Sequence, residues 1–267
     1  MDSPGGIGLN GHACWGYHDL AGDFRDAAVS FLTEGLDLGQ ALMFVGGSDA
    51  EEVVRSVEPL RSMVLDGSLQ IAAFDDVYPG GRRMPAHEQW AAYTAATEQA
   101  HLGGFTGLRV LAEVTSLANP DGAWLGQAAW ERYADLRMAD YTLAALCCFD
   151  RSAVTPEGLG TIASAHPVVD RRLADLAPFR LFARGNAIAI SGEVDAFSSD
   201  TLRLLLAAGN GHPDQLLELN DLTFIDHTGL LVLHQHARAV REQGLDLEIV
   251  GGPPSLRRLA DLLGVTL

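Results

Sequence analysis

The chain has 267 residues, of which 48% are hydrophobic and 20% charged, and its formal net charge is -17. This length favours two domains with hydrophobic cores, and the acidic balance argues against direct binding to nucleic acid or to an anionic membrane, because both need a cationic surface. All 18 basic residues are arginine, which excludes a P-loop lysine, a pyridoxal phosphate Schiff base and a lysine nucleophile.

The sequence carries no membrane or export signal. No apolar run approaches the roughly 18 to 20 residues that span a bilayer, and the start, MDSPGGIGLNGHAC, lacks the regions of a signal peptide. We therefore expect a cytoplasmic protein. Cys14, Cys147 and Cys148 are too few for a disulfide framework, and the cytosol would keep them reduced.

The first part of the chain predicts strands that alternate with helices. The runs QALMFVGG, LQIAAFDDVY, TGLRVLAEVTSL and LAALCCFD are typical of buried strands, and SDAEEVVRSVEPL, PAHEQWAAYTAATEQAHLGG and GAWLGQAAWERYADLRMAD are typical of helices. Ser48 or Asp49 is the expected cap of the first of these helices. This order predicts an α/β domain with a largely parallel sheet, which binds ligands at the carboxyl ends of its strands.

The periodicity changes near Pro178, and we place the boundary at about residues 172 to 179. The predicted domains are residues 1–175 and 176–267. The second domain predicts two strands in LFARGNAIAISGEVD, a helix in SSDTLRLLLAAG, a strand in DQLLELND, a helix in LLVLHQHARAVREQG and a strand in LDLEIVGG.

The last helix is predicted in SLRRLADLLG. Ser255 is its expected N-cap and Gly264 its expected stop. We expect one apolar stripe along this helix, formed by Leu256, Leu259, Leu262 and Leu263.

The stretch FIDHTGLLVL, residues 224–233, places an acid, a hydroxyl residue and a glycine where a strand gives way to a helix. Asp226 is expected to cap a helix that begins near His227, so the next residues would lie at a positive helix end. A phosphate there would be tolerated by the fold and would alter any docked surface. The alternative is that Asp-x-Thr-Gly is only a helix start.

Residues 179–267 resemble the STAS domain of bacterial anti-sigma factor antagonists, through SGEVDAFSSDTL, LLELNDLTFIDHTGLLVL and VGGPPSLRRLADLLGV. The resemblance implies a small α/β domain with a mixed sheet that binds an anti-sigma serine/threonine kinase of the GHKL type in stress signalling. In the family, phosphorylation of a Ser or Thr just after the motif Asp breaks that complex. The residues that the resemblance implies for phosphorylation and partner binding are Asp226, His227, Thr228 and Gly229, with Asp195 and Ser198 nearby.

The sequence departs from this family at the acceptor. His227 occupies the usual position and Thr228 lies one place later. Successive helical residues point about 100° apart, so Thr228 need not reach the same phosphate donor. For His227 three roles stay open: a constitutive contact, titration near neutral pH, or an exposed position of no special role.

Most of residues 10–168 resemble the MEDS domains, sensory modules that are similar to KaiC and RecA. The matching stretches are HACWGYHDLAGDFRDAAVSFLTEGLDLGQALMFVG, GLRVLAEVTSL and ALCCFDRSAV. The resemblance implies an α/β sandwich that binds a small molecule. Where an ATPase would carry GxxxxGK[ST], this chain has VGGSDAEE, so we expect no P-loop and no ATP hydrolysis.

Two groups of residues are candidates for ligand binding in the first domain. His12 and Cys14 would share one face of a strand, and with Cys147 and Cys148 on a neighbouring strand they could bind a metal, a haem or a redox signal. The alternative is that the cysteines pack as small apolar groups.

Three further candidates, Tyr17, Glu113 and Asp150, stand near strand ends, where a pocket would form. Each acid could equally be a cap or loop residue. The tryptophans of the predicted helices are expected in a core or interface, and these are Trp90, Trp124 and Trp130.

We therefore predict a bacterial signalling regulator, not an enzyme, in which a small-molecule sensor controls a STAS domain that binds an anti-sigma kinase. The alternatives are a STAS scaffold that is never phosphorylated, which His227 favours, and a haem, metal or redox sensor. No cofactor and no metal ligand set is assigned, and a homo-oligomer is possible.

Overall fold

The computed structural model describes residues 7–119, 122–209 and 216–265. Within these residues the strands are β1 (His12–Tyr17), β2 (Ala41–Val45), β3 (Leu69–Ala72), β4 (Leu108–Glu113), β5 (Leu143–Asp150), β6 (Val168–Val169), β7 (Phe179–Arg184), β8 (Ala187–Val194), β9 (Leu216–Ile225) and β10 (Glu248–Val250). The helices are α1 (Arg25–Asp37), α2 (Ser48–Ser56), α3 (Leu60–Asp66), α4 (Phe74–Val77), α5 (Ala86–Leu102), α6 (Thr115–Ala118), α7 (Ala123–Met138), α8 (Pro156–Ala163), α9 (Arg171–Ala174), α10 (Ser199–Ala208), α11 (His227–Glu242) and α12 (Pro254–Leu263). A π-helical turn at Leu20–Phe24 and a 3-10 turn at Pro79–Gly81 complete the assignment.

The first sheet confirms the predicted α/β domain. Its order is β3-β2-β4-β5-β1-β6, and every strand pair in it is parallel. An apolar core lies on each face: α1, α2 and α3 pack on one, and α5, α7 and α8 pack on the other. This arrangement explains why the strands read as continuous apolar runs, since both of their faces are covered.

The strands that carry the histidine and cysteine candidates are neighbours. In the parallel pair β1–β5, Cys14 lies opposite Cys147 and Trp15 lies opposite Cys148. The sequence hypothesis of a shared His/Cys cluster depended on this neighbourhood, and the structure provides it.

The second sheet is mixed, as predicted, with the order β10-β9-β8-β7. The hairpin β7–β8 is antiparallel, and β9 runs parallel to β8 and to β10. Gly192 in the SGEV stretch has a φ of 93°, and a Cβ there would lie 2.3 Å from the carbonyl oxygen of Pro178. Only glycine fits this combination of dihedral angle and close approach.

The first strand of the second sheet packs against the first domain. The backbone N–H of Leu181 donates to the carbonyl of Ser164 at 2.8 Å, and the Arg180 guanidinium donates to the carbonyl of Pro167 at 2.9 Å. Phe179 and Leu181 are fully buried, and one apolar core cluster contains residues of both sheets. The segment 172–179, where we predicted the boundary, runs from α9 to the first residue of β7.

Two predictions for the first domain differ from the structure: the cap of one helix and the length of one strand. The helix after β2 begins at Ser48 with Gly47 as its N-cap, and the Ser48 hydroxyl donates to Asp49 at 3.2 Å. The strand in LQIAAFDDVY ends at Ala72, and the next residues form α4.

The last helix also differs from its prediction. Its N-cap is Pro253, not Ser255, whereas Gly264 ends it in the left-handed region as expected. Leu256 is buried but Leu262 is 83% exposed. Leu262 follows Leu256 by six residues, which places it about 240° around the helix from Leu256. The apolar stripe therefore does not include Leu262.

Among the helices of residues 7–119, 122–209 and 216–265, none combines the length and the hydrophobicity that crossing a membrane requires.

Candidate functional site

Four polar side chains meet inside the first domain, between the sheet and the helices α7 and α8. His12 begins β1, Cys147 lies in β5, Glu131 lies on α7, and His166 follows α8. All four are buried. We call them the buried cluster. Because water does not reach them, they have to satisfy one another's polar atoms.

One carboxylate oxygen stands at the centre of the buried cluster. Glu131 Oε2 lies 3.2 Å from His12 Nε2, 3.4 Å from Cys147 Sγ and 3.6 Å from His166 Nε2. Cys147 Sγ lies 3.7 Å from His12 Nε2, and the two imidazole rings are 4.0 Å apart between centroids. Each of the four residues offers one metal-ligating atom, and these atoms all lie within 4.8 Å of one another.

Surrounding residues hold the buried cluster in place. Gln127 donates from Nε2 to Glu131 Oε1 at 2.6 Å, and Arg83 donates to Gln127 Oε1 at 2.8 Å. His166 Nδ1 donates to the carbonyl of Ile162 at 2.9 Å. That bond leaves Nε2 of a neutral imidazole as an acceptor, and within the described residues Nε2 forms no hydrogen bond.

The charges of the buried cluster follow from its burial and its contacts. Burial alone would lower the pKa of His12, but the carboxylates of Asp135 and Glu131 outweigh it and raise that pKa to about 9. Burial would raise the pKa of Glu131, but the histidines, with a hydrogen bond from Gln127, lower it to about 2. Burial and then the charge of His12 lower the pKa of His166 to about 4. At neutral pH the interior therefore holds a His12–Glu131 ion pair beside a neutral His166.

The three cysteines do not act as one group. Cys147 belongs to the buried cluster, Cys14 packs beside it in the same apolar core, and Cys148 lies on the opposite face of the sheet. Burial raises the pKa of all three thiols well above the usual range. The thiolate is the reactive form, so this environment disfavours redox sensing.

A cavity of about 40 Å³ adjoins the buried cluster. Its walls include four aromatic side chains, from Tyr78, Trp90, Tyr93 and Trp130. Such a volume holds about one or two waters, so a haem does not fit here. Trp124, the third tryptophan of the sequence prediction, lies elsewhere, against Gly158 of α8.

Tyr17, Glu113 and Asp150 come together at the carboxyl ends of β1, β4 and β5. Tyr17 Oη donates to Glu113 Oε1 at 3.0 Å, and the Thr115 hydroxyl donates to the same oxygen. The N–H of Asp150 donates to Thr115 Oγ1 at 2.8 Å. Burial and the charge of Glu113 raise the pKa of Tyr17, so it stays a neutral donor.

These residues line a pocket of about 360 Å³. The VGGSDAEE stretch contributes Gly47, Ser48 and Asp49 to its wall. Asp49, Glu113 and Asp150 therefore place carboxylates around this pocket, and they disfavour an anionic ligand. The pocket suits a neutral or cationic small molecule.

The candidate docking end of the second domain lies where β8 and β9 end side by side. The N–H of Asp226 donates to the carbonyl of Val194 at 3.0 Å. As predicted, Asp226 caps α11: its Oδ1 accepts from the N–H groups of Thr228 at 2.8 Å and Gly229 at 3.0 Å. Burial would raise the pKa of Asp226, but the hydrogen bond from the Thr228 hydroxyl and these two N–H bonds lower it.

The two candidate acceptor residues differ in how they are presented. Thr228 is half-buried, and its hydroxyl donates to Asp226 Oδ1 at 2.5 Å. His227 is exposed at the first position of the helix. The hydroxyl is thus directed at the cap, and the imidazole at the solvent.

Asp195 and Ser198 form a second turn at this end. Asp195 Oδ1 accepts from the backbone N–H groups of Phe197 and Ser198, each at 3.0 Å, and from the Ser198 hydroxyl at 2.9 Å. Ser198 is buried, whereas Phe197 is 97% exposed. Phe224 and Leu231 of the same domain are exposed as well, and we call these three apolar side chains the apolar docking patch.

Asp135 connects the buried cluster to the second domain. It lies one turn after Glu131 on α7, and its Oδ1 is 3.6 Å from His12 Nδ1. Its Oδ2 accepts the backbone N–H of Ala183 in β7 at 2.6 Å and a bond from Arg132 at 3.3 Å. One carboxylate therefore contacts both a cluster histidine and the first strand of the second sheet.

Sequence reasoning missed Glu131, Asp135 and His166. A signal was present: Gln127, Glu131 and Asp135 recur every four residues in a helix whose neighbouring positions are largely apolar. Polar residues at that spacing share one helix face. On a helix packed against a buried sheet, such a face indicates an internal polar site.

Comparison with known families agrees with the two resemblances in the sequence. The family described as MEDS, "MEthanogen/methylotroph, DcmR Sensory domain", matches residues 11–167. The STAS domain family matches residues 183–266. No curated protein matches the chain.

Among solved structures, the chain is similar to the flagellar accessory protein FlaH from Methanocaldococcus jannaschii. The identity is 13%, the match covers 69% of this chain and 77% of that one, and the TM-score is 0.35. A similarity of this size supports no statement about function.

Proposed function

We propose that this chain, which belongs to the MEDS family and carries a STAS domain after its sensory domain, is a bacterial anti-sigma factor antagonist. In this proposal, binding in the MEDS domain controls how well the STAS domain binds an anti-sigma serine/threonine kinase of the GHKL type. The observation that carries it is the contact between Asp135 and Ala183, which joins the buried cluster to the STAS sheet.

The proposed control is a shift between two arrangements of α7. A ligand changes an output only through different affinities for the two arrangements. Glu131 and Asp135 project from successive turns of one helix, so a ligand that repositions Glu131 also displaces Asp135. The strand β7 then loses or regains the bond to the Ala183 N–H. A second contact, between the hydroxyls of Thr161 and Thr201 at 3.2 Å, joins α8 to α10 across the same interface.

The proposed ligand of the MEDS domain is a small molecule or ion. The 40 Å³ cavity beside the buried cluster sets its size there, and the larger pocket beside Tyr17 and Glu113 is the second place where a small molecule would bind. We favour the buried cluster as the controlling site because α7 links it directly to β7. The proposal includes no catalytic step.

The apolar docking patch supports binding of the STAS domain to a protein. Exposed aromatic side chains are typical anchors of protein interfaces. Phe197 and Phe224 lie two residues from Asp195 and Asp226, at the end of the domain that the family resemblance assigns to the kinase. A kinase docked there would cover both turns and the exposed His227.

A second candidate function is a STAS scaffold that is never phosphorylated. The bond from the Thr228 hydroxyl to Asp226 favours it, because an acceptor has to leave this bond before it can attack a phosphate donor. In this version the docking patch still binds a partner, and the MEDS domain alone regulates the complex.

The test is calorimetric titration of the full chain into a panel of GHKL-type anti-sigma kinases from the source organism. Binding to at least one kinase, lost in Phe197→Asp, is the expected result. Absence of binding to every kinase would reject the antagonist function. Incubation of the same pairs with ATP, followed by intact mass measurement, separates the switched antagonist from the scaffold.

A further inference from the structure

We propose that His12, Glu131, Cys147 and His166 form a closed four-ligand site for a divalent transition metal ion of the zinc type. The site goes beyond the proposed function and does not require it, because the ion would bind within the MEDS domain whether or not the STAS domain binds a kinase.

The distances among the ligand atoms fit tetrahedral coordination. Bonds of 2.0 to 2.3 Å, as zinc forms with nitrogen, oxygen and sulfur, place neighbouring ligand atoms about 3.3 to 3.8 Å apart. Glu131 Oε2 lies 3.2, 3.4 and 3.6 Å from the atoms of His12, Cys147 and His166. The Cys147–His12 distance is 3.7 Å. These four of the six ligand-atom distances lie in or near that range, and all six are within 4.8 Å.

The orphaned nitrogen of His166 is an independent sign of a ligand. Its side chain is completely buried, and within the described part of the chain Nε2 has no hydrogen-bond partner. Its other nitrogen donates to a backbone carbonyl, which is the usual way in which a metal-binding histidine is oriented. A buried acceptor without a donor is costly, and a metal ion would satisfy it.

The residues around the ligands complete a second coordination shell. Gln127 holds the free oxygen of Glu131 at 2.6 Å, and the Asp135 carboxylate lies 3.6 Å from the second nitrogen of His12. Carboxylate–histidine pairs of this kind are common around protein-bound zinc.

The donor set selects the class of metal. One thiolate, two imidazoles and one carboxylate suit zinc, cobalt or nickel, whereas magnesium and calcium prefer sites made of oxygen alone. The charges also balance, since a divalent ion offsets one thiolate and one carboxylate. Metal ligands bind in their deprotonated forms, so the Cys147 thiol would lose its proton to solvent and His12 would bind as a neutral imidazole. The ion and its four ligands would then carry no net charge.

Cobalt titration of the full chain tests this site. The protein is freed of metal with a chelator, dialysed and titrated with Co²⁺, whose absorption reports tetrahedral geometry and thiolate coordination. We expect one ion per chain, strong visible absorption and a thiolate-to-cobalt charge-transfer band. Cys147→Ser should lose that band, and Cys148→Ser, which changes a buried cysteine on the opposite face of the sheet, should keep it.

If Cys147→Ser does not fold, two histidine variants provide the test instead. His166→Gln should weaken Co²⁺ binding at least about tenfold, whereas exposed His87→Gln should not change it. The metal site is rejected if the wild type binds well under one ion per chain, if the spectrum lacks the thiolate band, or if the band persists in Cys147→Ser. Because no kinase is present, failure here leaves the proposed antagonist function untouched.

Discussion

The carboxylate of Asp135 accepts the backbone N–H of Ala183 at 2.6 Å, and this bond joins the last long helix of the MEDS domain to the first strand of the STAS domain. Both residues lie in a shared apolar interface rather than on a solvated linker. A hydrogen bond to a charged acceptor is stronger in such a place than in water.

Asp135→Ala should destabilise the folded chain. It leaves the Ala183 N–H without its acceptor in a partly buried place, which costs about 1 to 3 kcal/mol. The free energy of unfolding from urea denaturation measures this loss. Asp135→Asn, which keeps an acceptor oxygen, should lose less. Equal losses in the two variants would show that the charge of Asp135, and not its bond to Ala183, stabilises the interface.

The stability of the metal-free chain should depend on pH through His12. Its folded pKa of about 9 lies above the usual 6.5, so the folded state holds the proton more tightly than the unfolded state does. This contribution is fully present below about pH 6.5 and is lost as the pH rises through 9, and it amounts to about 3 kcal/mol.

Urea denaturation of wild type and His12→Gln between pH 6 and pH 9.5, with a chelator present, measures this contribution. It is the difference in the free energy of unfolding between the two proteins. The difference should shrink with rising pH. A difference that stays constant over this range would contradict the buried His12–Glu131 ion pair.

Phosphorylation should depend on which residue stands first in α11. With a docked kinase and ATP, we expect wild type to stay largely unmodified, because the Thr228 hydroxyl is held by Asp226. His227→Ser places an exposed hydroxyl at the helix start and should gain one phosphate, which His227→Ser/Thr228→Ala should retain. Intact mass and site mapping read the result. A phosphate on wild-type Thr228 that is lost in Thr228→Ala would instead establish a switch with a shifted acceptor.

Phe197→Asp should weaken kinase binding. An aromatic anchor at the centre of an interface contributes about 2 kcal/mol or more, so we expect the dissociation constant to rise at least about thirtyfold. Leu65→Asp is the matched control, since Leu65 is a 73% exposed apolar residue of the MEDS domain. If both changes weaken kinase binding equally, or if neither weakens it, the docking surface lies elsewhere.

The elements that depend on local pattern could be predicted from the sequence. Alternating apolar runs and helical patterns predicted the parallel sheet, and the two family resemblances are confirmed over residues 11–167 and 183–266. The Asp226 cap was also predicted, because a cap needs only residues close in sequence. Helix starts at Ser48 and Pro254 were misjudged by one or two positions, since a hydroxyl or a carboxylate near a helix start need not be its cap.

The buried cluster could be predicted only in part. Alternation along β1 correctly placed His12 and Cys14 on one face, but Cys14 lies about 6 to 7 Å further along the strand and outside the ligand set. The same alternation separates Cys148 from Cys147. Glu131 is 119 residues from His12, and which helix face meets the sheet is decided by packing between distant segments.

In the proposed function, the MEDS domain controls the STAS domain through α7. Its most direct test is the dissociation constant of a cognate kinase for four folded proteins: wild type, Glu131→Gln, Asp135→Ala and the double variant. Glu131 is far in sequence from the apolar docking patch. We predict that Glu131→Gln changes the dissociation constant of the kinase at least about fivefold. In the Asp135→Ala background the same change should have no further effect. A kinase affinity that Glu131→Gln leaves unaltered would contradict the account and show that the two domains act independently.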